Sequence, residues 1–203
     1  MEETNQITSN SEGEQKNENS ATSSRFLHVA WELVKIITIA LVIVLPIRYF
    51  LFQPFIVKGD SMVPNFHSGD YLIVDEISYR FSEPKRGDVV VLKYPLDNTQ
   101  RFIKRIIGLP SETVEIKNGN IRIIKDGMEI PLDESHYLFD VKRTDGDVTV
   151  TLQTDQYFVM GDNRPFSYDS RRWGVLPKED IIGRALFRVY PLGAMSYIVT
   201  PGY

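Results

Sequence analysis

Ser61 stands in GDSMVPNF (Gly59–Phe66), and its hydroxyl becomes a nucleophile only if a base lies beside it. Gly, Asp, Pro and Asn spell a turn there. Yet Met62 and Val63 follow the serine directly, apolar side chains that a plain solvent loop does not need. The chain has no cysteine, which removes thiolate catalysis, disulfides and Cys-based zinc sites. Its three histidines are His28, His67 and His136. His67 falls in the same turn region as Ser61 and reads as a surface residue. The other candidate base is a lysine, which must be neutral to accept a proton.

Lys104 is that candidate. In RFIKRIIGLP, alternation with period two sets Phe102, Lys104 and Ile106 on one face of a strand and Arg101, Ile103, Arg105 and Ile107 on the other. Two large apolar neighbours on its own face disfavour the ammonium. Lowering a lysine from about 10.4 to about 7–8 takes about 3–5 kcal/mol of desolvation, and a lysine so lowered is a competent general base. An ordinary solvent-facing lysine is the competing reading. A third stretch, GDNRPFSYDSRRWGVLP (Gly161–Pro177), gathers Asp162, Asn163, Ser167, Asp169, Ser170 and Arg171 beside Phe166 and Trp173. Such a density of hydrogen-bonding groups suits a semi-buried network better than a polar loop.

The elements that must position these residues follow a change of texture along the chain. Residues 1–24 contain only Met1, Ile7 and Ala21 as apolar residues, with five glutamates against Lys16, and read as a disordered acidic tail. From Ile36 to Phe52 the chain is apolar on every side with one charge, Arg48, and is about 26 Å long as a helix. An acidic tail ahead of it and Phe-Gln-Pro-Phe behind it do not fit a cleaved leader, and a soluble core helix would be amphipathic. The expected organisation is therefore a membrane anchor over 26–53. Basic residues on both sides give a weak vote for a cytoplasmic N-terminus.

After Pro54 come short β-like runs: Asp70–Ile77, Asp88–Tyr94, Arg101–Ile107, TVEI before Asn118-Gly119, IRII before Asp126-Gly127, then DVTVTLQ, QYFVM and GRALFRVYPL. The two Asx-Gly pairs are hairpin signals. The soluble part is thus expected to be mostly β, with helix nearly confined to the anchor. Outside the tail, 22 basic residues balance 22 acidic ones, so nucleic acid is not an expected partner.

GDSMVPNF, RGDVVVLKYP, RFIKRIIGLPSETVEI and GDNRPFSYDSRRWG, in this order behind an anchor, closely resemble the bacterial type I signal peptidases. The resemblance runs from about Trp31 to Tyr190. It implies an antiparallel β catalytic domain over 54–109 and 154–203, with a small β insert over 110–153 as in the compact Gram-positive type. It implies a cell-membrane protein with one transmembrane helix and an extracytoplasmic catalytic domain, acting on the signal peptides of exported preproteins. The lipid membrane is then a partner, with the secretion machinery as a further one to consider, and no cofactor or metal is needed.

By resemblance Ser61 is the nucleophile and Lys104 the general base of a Ser/Lys dyad. Ser167 is the hydroxyl that hydrogen-bonds the lysine. Asp162, Asp169 and Arg171 hold the loop, with Asp162 paired to Arg105, and the Ser61 N–H is an oxyanion donor. Phe55, Val57, Met62 and Ile103 match positions lining small substrate pockets. The chain departs from Gram-negative members at Gly59, where they carry a serine that donates to the oxyanion, and at Pro165-Phe166, where polar residues are common. Two alternatives remain open at this point: a catalytically inactive relative that binds preproteins, and another Ser/Lys protease of the same fold.

Overall fold

A computed structural model describes residues 28–44, 52–138 and 144–202. It comprises two units, Met1–Arg48 and Tyr49–Tyr203. In the first, the described residues form one helix, α1, over 28–44. Its apolar side chains point outward all round, with Trp31, Ile36 and Val42 each more than 60% exposed. Among the described residues no helix is long and apolar enough to cross a membrane. The acidic tail and the stretch with Pro46 and Arg48 lie outside the described residues.

The second unit is mostly antiparallel β. An eight-stranded sheet runs β1 (Phe52–Ile56), β2 (Tyr71–Asp75), β11 (Ile181–Tyr190), β3 (Val89–Tyr94), β4 (Asp97–Gly108), β9 (Gln156–Met160), β10 (Leu176–Pro177), with β12 (Ser196–Tyr197) beside β11. Phe52 and Gln53, assigned to the anchor in the sequence reading, belong to β1 instead. Pro54 sits in mid-strand there, which a strand at the edge of a sheet tolerates.

A smaller sheet, in the order β7 (Met128–Pro131), β6 (Asn120–Lys125), β5 (Thr113–Lys117), β8 (Val148–Thr151), is inserted between β4 and β9. Its two hairpins turn at Asn118-Gly119 and Asp126-Gly127, where all four residues have positive φ, the requirement of the tight turn that matches strand twist. The insert shares a core with the large sheet: Val114, Ile116, Ile121 and Ile123 pack with Ile107, Phe158 and Met160. Gly108 marks the joint, since a Cβ there would lie 2.4 Å from Val114 Cγ2 and 2.8 Å from Leu152 Cδ1.

Two further apolar clusters flank β4. Ile103 packs with Val57, Met62, Phe66, Leu72, Val89 and Ala185 on one face. Ile106, with Phe102 at its margin, packs on Val90, Leu92, Tyr157, Val159 and Leu176 on the other. The period-two assignment of this strand is therefore realised, and residues 103–108 are buried on both sides. Two short α-helices, α2 (Ser78–Phe81) and α3 (Ser170–Trp173), and three 3-10 turns at Arg164–Phe166, Lys178–Asp180 and Leu192–Ala194 complete the regular structure among the described residues.

Candidate active site

Lys104 is near the middle of β4 and opposite Val90 of β3, so its backbone is fixed by the ladder and its side chain cannot leave the core. Ser61 opens the turn between β1 and β2. Their side chains meet: Lys104 Nζ lies 2.8 Å from Ser61 Oγ across 43 residues of chain. Lys104 is 3% exposed. Burial pulls its pKa down from 10.5 to about 8, against the attraction of Asp169 and then Asp162, with the Arg171 charge adding a smaller downward push. The Phe102 ring, 5.3 Å from Nζ, would favour an ammonium, but loss of hydration outweighs it. With the amine neutral, the Ser61 hydroxyl donates to its lone pair, which is the arrangement a general base requires.

The turn carrying Ser61 is held by its backbone. Asn163 N–H donates to the Ser61 carbonyl at 3.0 Å, and Asn163 Nδ2 to the Asp60 carbonyl at 2.9 Å. The Ser61 N–H has no hydrogen-bond partner among the described residues and is free to donate to an incoming oxyanion. The Gly59 N–H is only loosely engaged, at 3.4 Å from Ser68 Oγ.

Gly161 lies so close to this turn that a Cβ would stand 2.3 Å from the Ser61 carbonyl oxygen and 2.3 Å from Ser167 Oγ. Gly161→Ala must therefore push both away or shift the Gly161 backbone itself. The expected outcome is a loss of about 100-fold in kcat for the reaction at Ser61 with about 1–3 kcal/mol of destabilisation. Steady-state kinetics and thermal melts check it.

Buried charges surround the dyad. Arg105 grips Asp162 through two bonds, at 2.8 and 2.7 Å, and donates to the Gly87 carbonyl. Asn65, in the Ser61 turn, donates to the same Asp162 carboxylate at 2.8 Å. Asp169, fully buried, binds Arg171 and accepts the Gly161 N–H at 3.0 Å. Burial raises the Asp169 pKa, but the Arg171 bonds and charge and the Gly161 N–H hold it below the usual carboxylate range. The nearby Ser167 hydroxyl contributes less and stops short of hydrogen-bond geometry.

Several positions sit differently from the sequence reading. Ser167 Oγ is buried without a hydrogen-bond partner among the described residues, and the hydrogen bond to Lys104 expected of it is not formed. Phe166 is 75% exposed and lies outside the buried network. His67 is exposed, and its backbone N–H donates to Asp70 Oδ2 at 3.1 Å.

Phe55 and Ile103 line an open groove of about 440 Å³ that also contains Ser61 and Lys104. Val57 and Met62 do not line it. They are 1% and 0% exposed and form the packed layer beneath, Val57 held by backbone bonds to Gly69 and Asp70 and Met62 turned inward after Ser61. Ile56, Lys58, Thr99, Gln100, Arg101 and Phe102 supply the rest of the wall.

Two open strand edges border this groove. Among the described residues β1 pairs only with β2, and β4 gains its second partner, β9, only from Arg105 onward. An extended peptide laid between Ile56 and residues 101–103 would find unpaired main-chain groups on both sides. Sequence reasoning missed Asn65, Gly161 and Arg164, and named Asn163 as a member of the polar network without its role at the Ser61 turn. The GDN signal points at Asn163, while Asn65 looks like an ordinary turn residue.

A hydroxyl in contact with a lowered lysine, a free N–H beside it and a groove for an extended chain make an acyl-transfer site. Comparison with known proteins agrees. Residues 30–190 match the family described as signal peptidase, peptidase S26. The chain belongs to that family. It is 39% identical to the probable signal peptidase I-1 of Synechocystis sp., over 83% of this chain and 91% of the relative. It is also 39% identical to signal peptidase I S of Bacillus subtilis (strain 168), over 81% of this chain and 91% of the relative. A crystal structure of a signal peptidase I from Enterococcus faecalis V583, 32% identical, covers 51% of this chain and 97% of its own, with a TM-score of 0.42. Among the described residues there is no cluster of His, Asp and Glu able to hold a metal ion.

Proposed function

We propose that the protein is a membrane-bound serine endopeptidase that removes signal peptides from exported preproteins, with Ser61 as nucleophile and Lys104 as general base. The observation that carries this reading is the 2.8 Å contact between a buried lysine amine and a serine hydroxyl at the end of a groove. Family membership supplies the substrate class. Ser61 Oγ attacks the carbonyl carbon before the cut while Nζ takes its proton. The oxyanion so formed accepts the Ser61 N–H. The C–N bond breaks as the Lys104 ammonium gives its proton to the leaving amine. Water, deprotonated by the same amine, then releases the acyl group as a carboxylate.

Small side chains at the first and third positions before the cut face the apolar wall formed by Phe55 and Ile103, over a floor of Val57 and Met62. Residues 1–24 are a cytoplasmic tail, the run through α1 anchors the protein in a single pass, and 110–153 serve as an insert on an extracytoplasmic catalytic domain.

The test is incubation of the full chain in detergent with a preprotein, beside Ser61→Ala. Cleavage at the signal junction is expected only with the parent, and substrates bearing Phe in place of Ala before the cut are expected to resist. Equal cleavage by Ser61→Ala, or of both substrates, would sink the reading.

The pH dependence has a definite sign. Lys104 must be neutral to act, so kcat/KM is expected to rise with pH through an acid limb near 8, the free-enzyme value to which burial lowers it. A rate flat between pH 6 and 9 would exclude Lys104 as the base.

A further inference from the structure

A second buried ion pair lies outside the chemistry of the groove. Arg164 and Glu134 are 3% and 8% exposed. The Arg164 guanidinium meets both Glu134 carboxylate oxygens, one of them at 2.7 Å, and a further N–H reaches Thr144 Oγ1 at 3.0 Å. The Tyr137 hydroxyl donates to Glu134 Oε1 at 2.6 Å. Glu134, Tyr137 and Thr144 all belong to the connection between β7 and β8, so the partners of Arg164 come from the insert.

The Arg164 side chain makes one more hydrogen bond, and it leads toward Ser61 and Lys104. Its Nε donates to the Gly161 carbonyl at 3.0 Å. Gly161 is the residue packed against the Ser61 carbonyl, and Asn163, between the two, donates to that carbonyl directly. The same segment reaches the turn by a second path. The Tyr137 carbonyl accepts from Asn65 Nδ2 at 2.9 Å, and the Tyr137 ring lies 4.0 Å from the Arg105 guanidinium carbon.

We infer that Glu134 and Tyr137 are positioning residues: through Arg164, Gly161 and Asn65 they hold the Ser61 turn against Lys104 from the side away from the groove. The insert is then a working part of the peptidase and not an ornament on it. This rests on the peptidase reading above. A pair that served stability alone would have no need of the bond to Gly161, and its replacement by apolar side chains would leave turnover unchanged.

The double variant Glu134→Leu/Arg164→Met removes both charges, a change that buried ion pairs commonly survive with the fold intact. Assayed as the full chain in detergent on a preprotein, it is expected to lose about 10- to 100-fold in kcat while KM moves less than about twofold and the melting temperature stays near the parent's. Tyr137→Phe leaves every charge paired and removes one hydroxyl, and is expected to lose about three- to tenfold in kcat. A folded double variant, or a Tyr137→Phe variant, that turns over within about twofold of the parent overturns the inference. If the double variant fails to fold, Tyr137→Phe decides alone. A parent with no activity on the preprotein would instead sink the peptidase reading, so the two failures are told apart.

Discussion

Lys104→Met is expected to abolish turnover and make the protein more stable. Loss of the base leaves Ser61 with a hydroxyl of ordinary reactivity, and removing a member of such a unit lowers kcat by about 10⁴- to 10⁶-fold. The stability change follows from linkage. In the unfolded chain the amine titrates near 10.5, and in the folded protein near 8. The folded pKa is depressed for a cationic group, so the unfolded state binds more protons between these values and stability rises with pH across that window. Below about pH 8 the folded state carries the full penalty of burying the charge, about 3 kcal/mol for a side chain this enclosed. Methionine is similar in length and carries no charge, so it relieves that penalty at pH 7 without opening a large cavity. A chemical denaturation series at pH 7 and pH 10 checks it. The variant should gain about 1–3 kcal/mol at pH 7 and little at pH 10. A Lys104→Met protein that is less stable at both pH values, or that still cleaves, contradicts the assignment.

Asp162→Ala is the second large effect, and it falls on folding. The Arg105 and Asp162 side chains are 4% and 0% exposed. Removing the carboxylate takes two charge-assisted bonds from the buried Arg105 guanidinium, and breaking a buried pair by deleting one partner costs about 3–5 kcal/mol. For a unit of this size the melting temperature should fall by about 10 °C. Asp162→Ala combined with Arg105→Met should recover most of that loss, because an apolar pair carries no charge to strand. Asp162 also raises the pKa of Lys104, so in whatever fraction of Asp162→Ala stays folded the acid limb should move to lower pH. Thermal melts read the first effect and a pH–rate profile the second. Were the single variant to melt with the parent, the pair would contribute nothing to the fold.

Strand alternation, a local signal, made the apolar setting of Lys104 legible, whereas its pairing with Ser61 came from the family resemblance. Phe102 and Ile106 flank Lys104 in the chain and share a cluster on its face. The hairpins were legible for the same reason, since Asn118-Gly119 and Asp126-Gly127 declare their own backbone angles. β1 was hidden because Phe52-Gln53-Pro54-Phe55 continues the apolar composition of the preceding run, and only pairing with β2 distinguishes it. Val57 and Met62 were set on the groove wall by the family resemblance alone, which carries no burial, and packing puts both in the layer beneath it. The Arg164–Glu134 pair could not be read, since its members are 30 residues apart and charged residues in loops look solvated until a fold encloses them.

The two unpaired edges of the groove constrain what can enter it. A segment gripped along both flanks of its main chain must present both flanks bare, which no strand already stitched into a sheet and no helical turn can do. Passenger proteins must therefore be cut while the junction is still uncoiled, or keep it as a slack hinge afterwards. Timing relative to passenger folding, more than the identity of most side chains, would then decide which exports are trimmed.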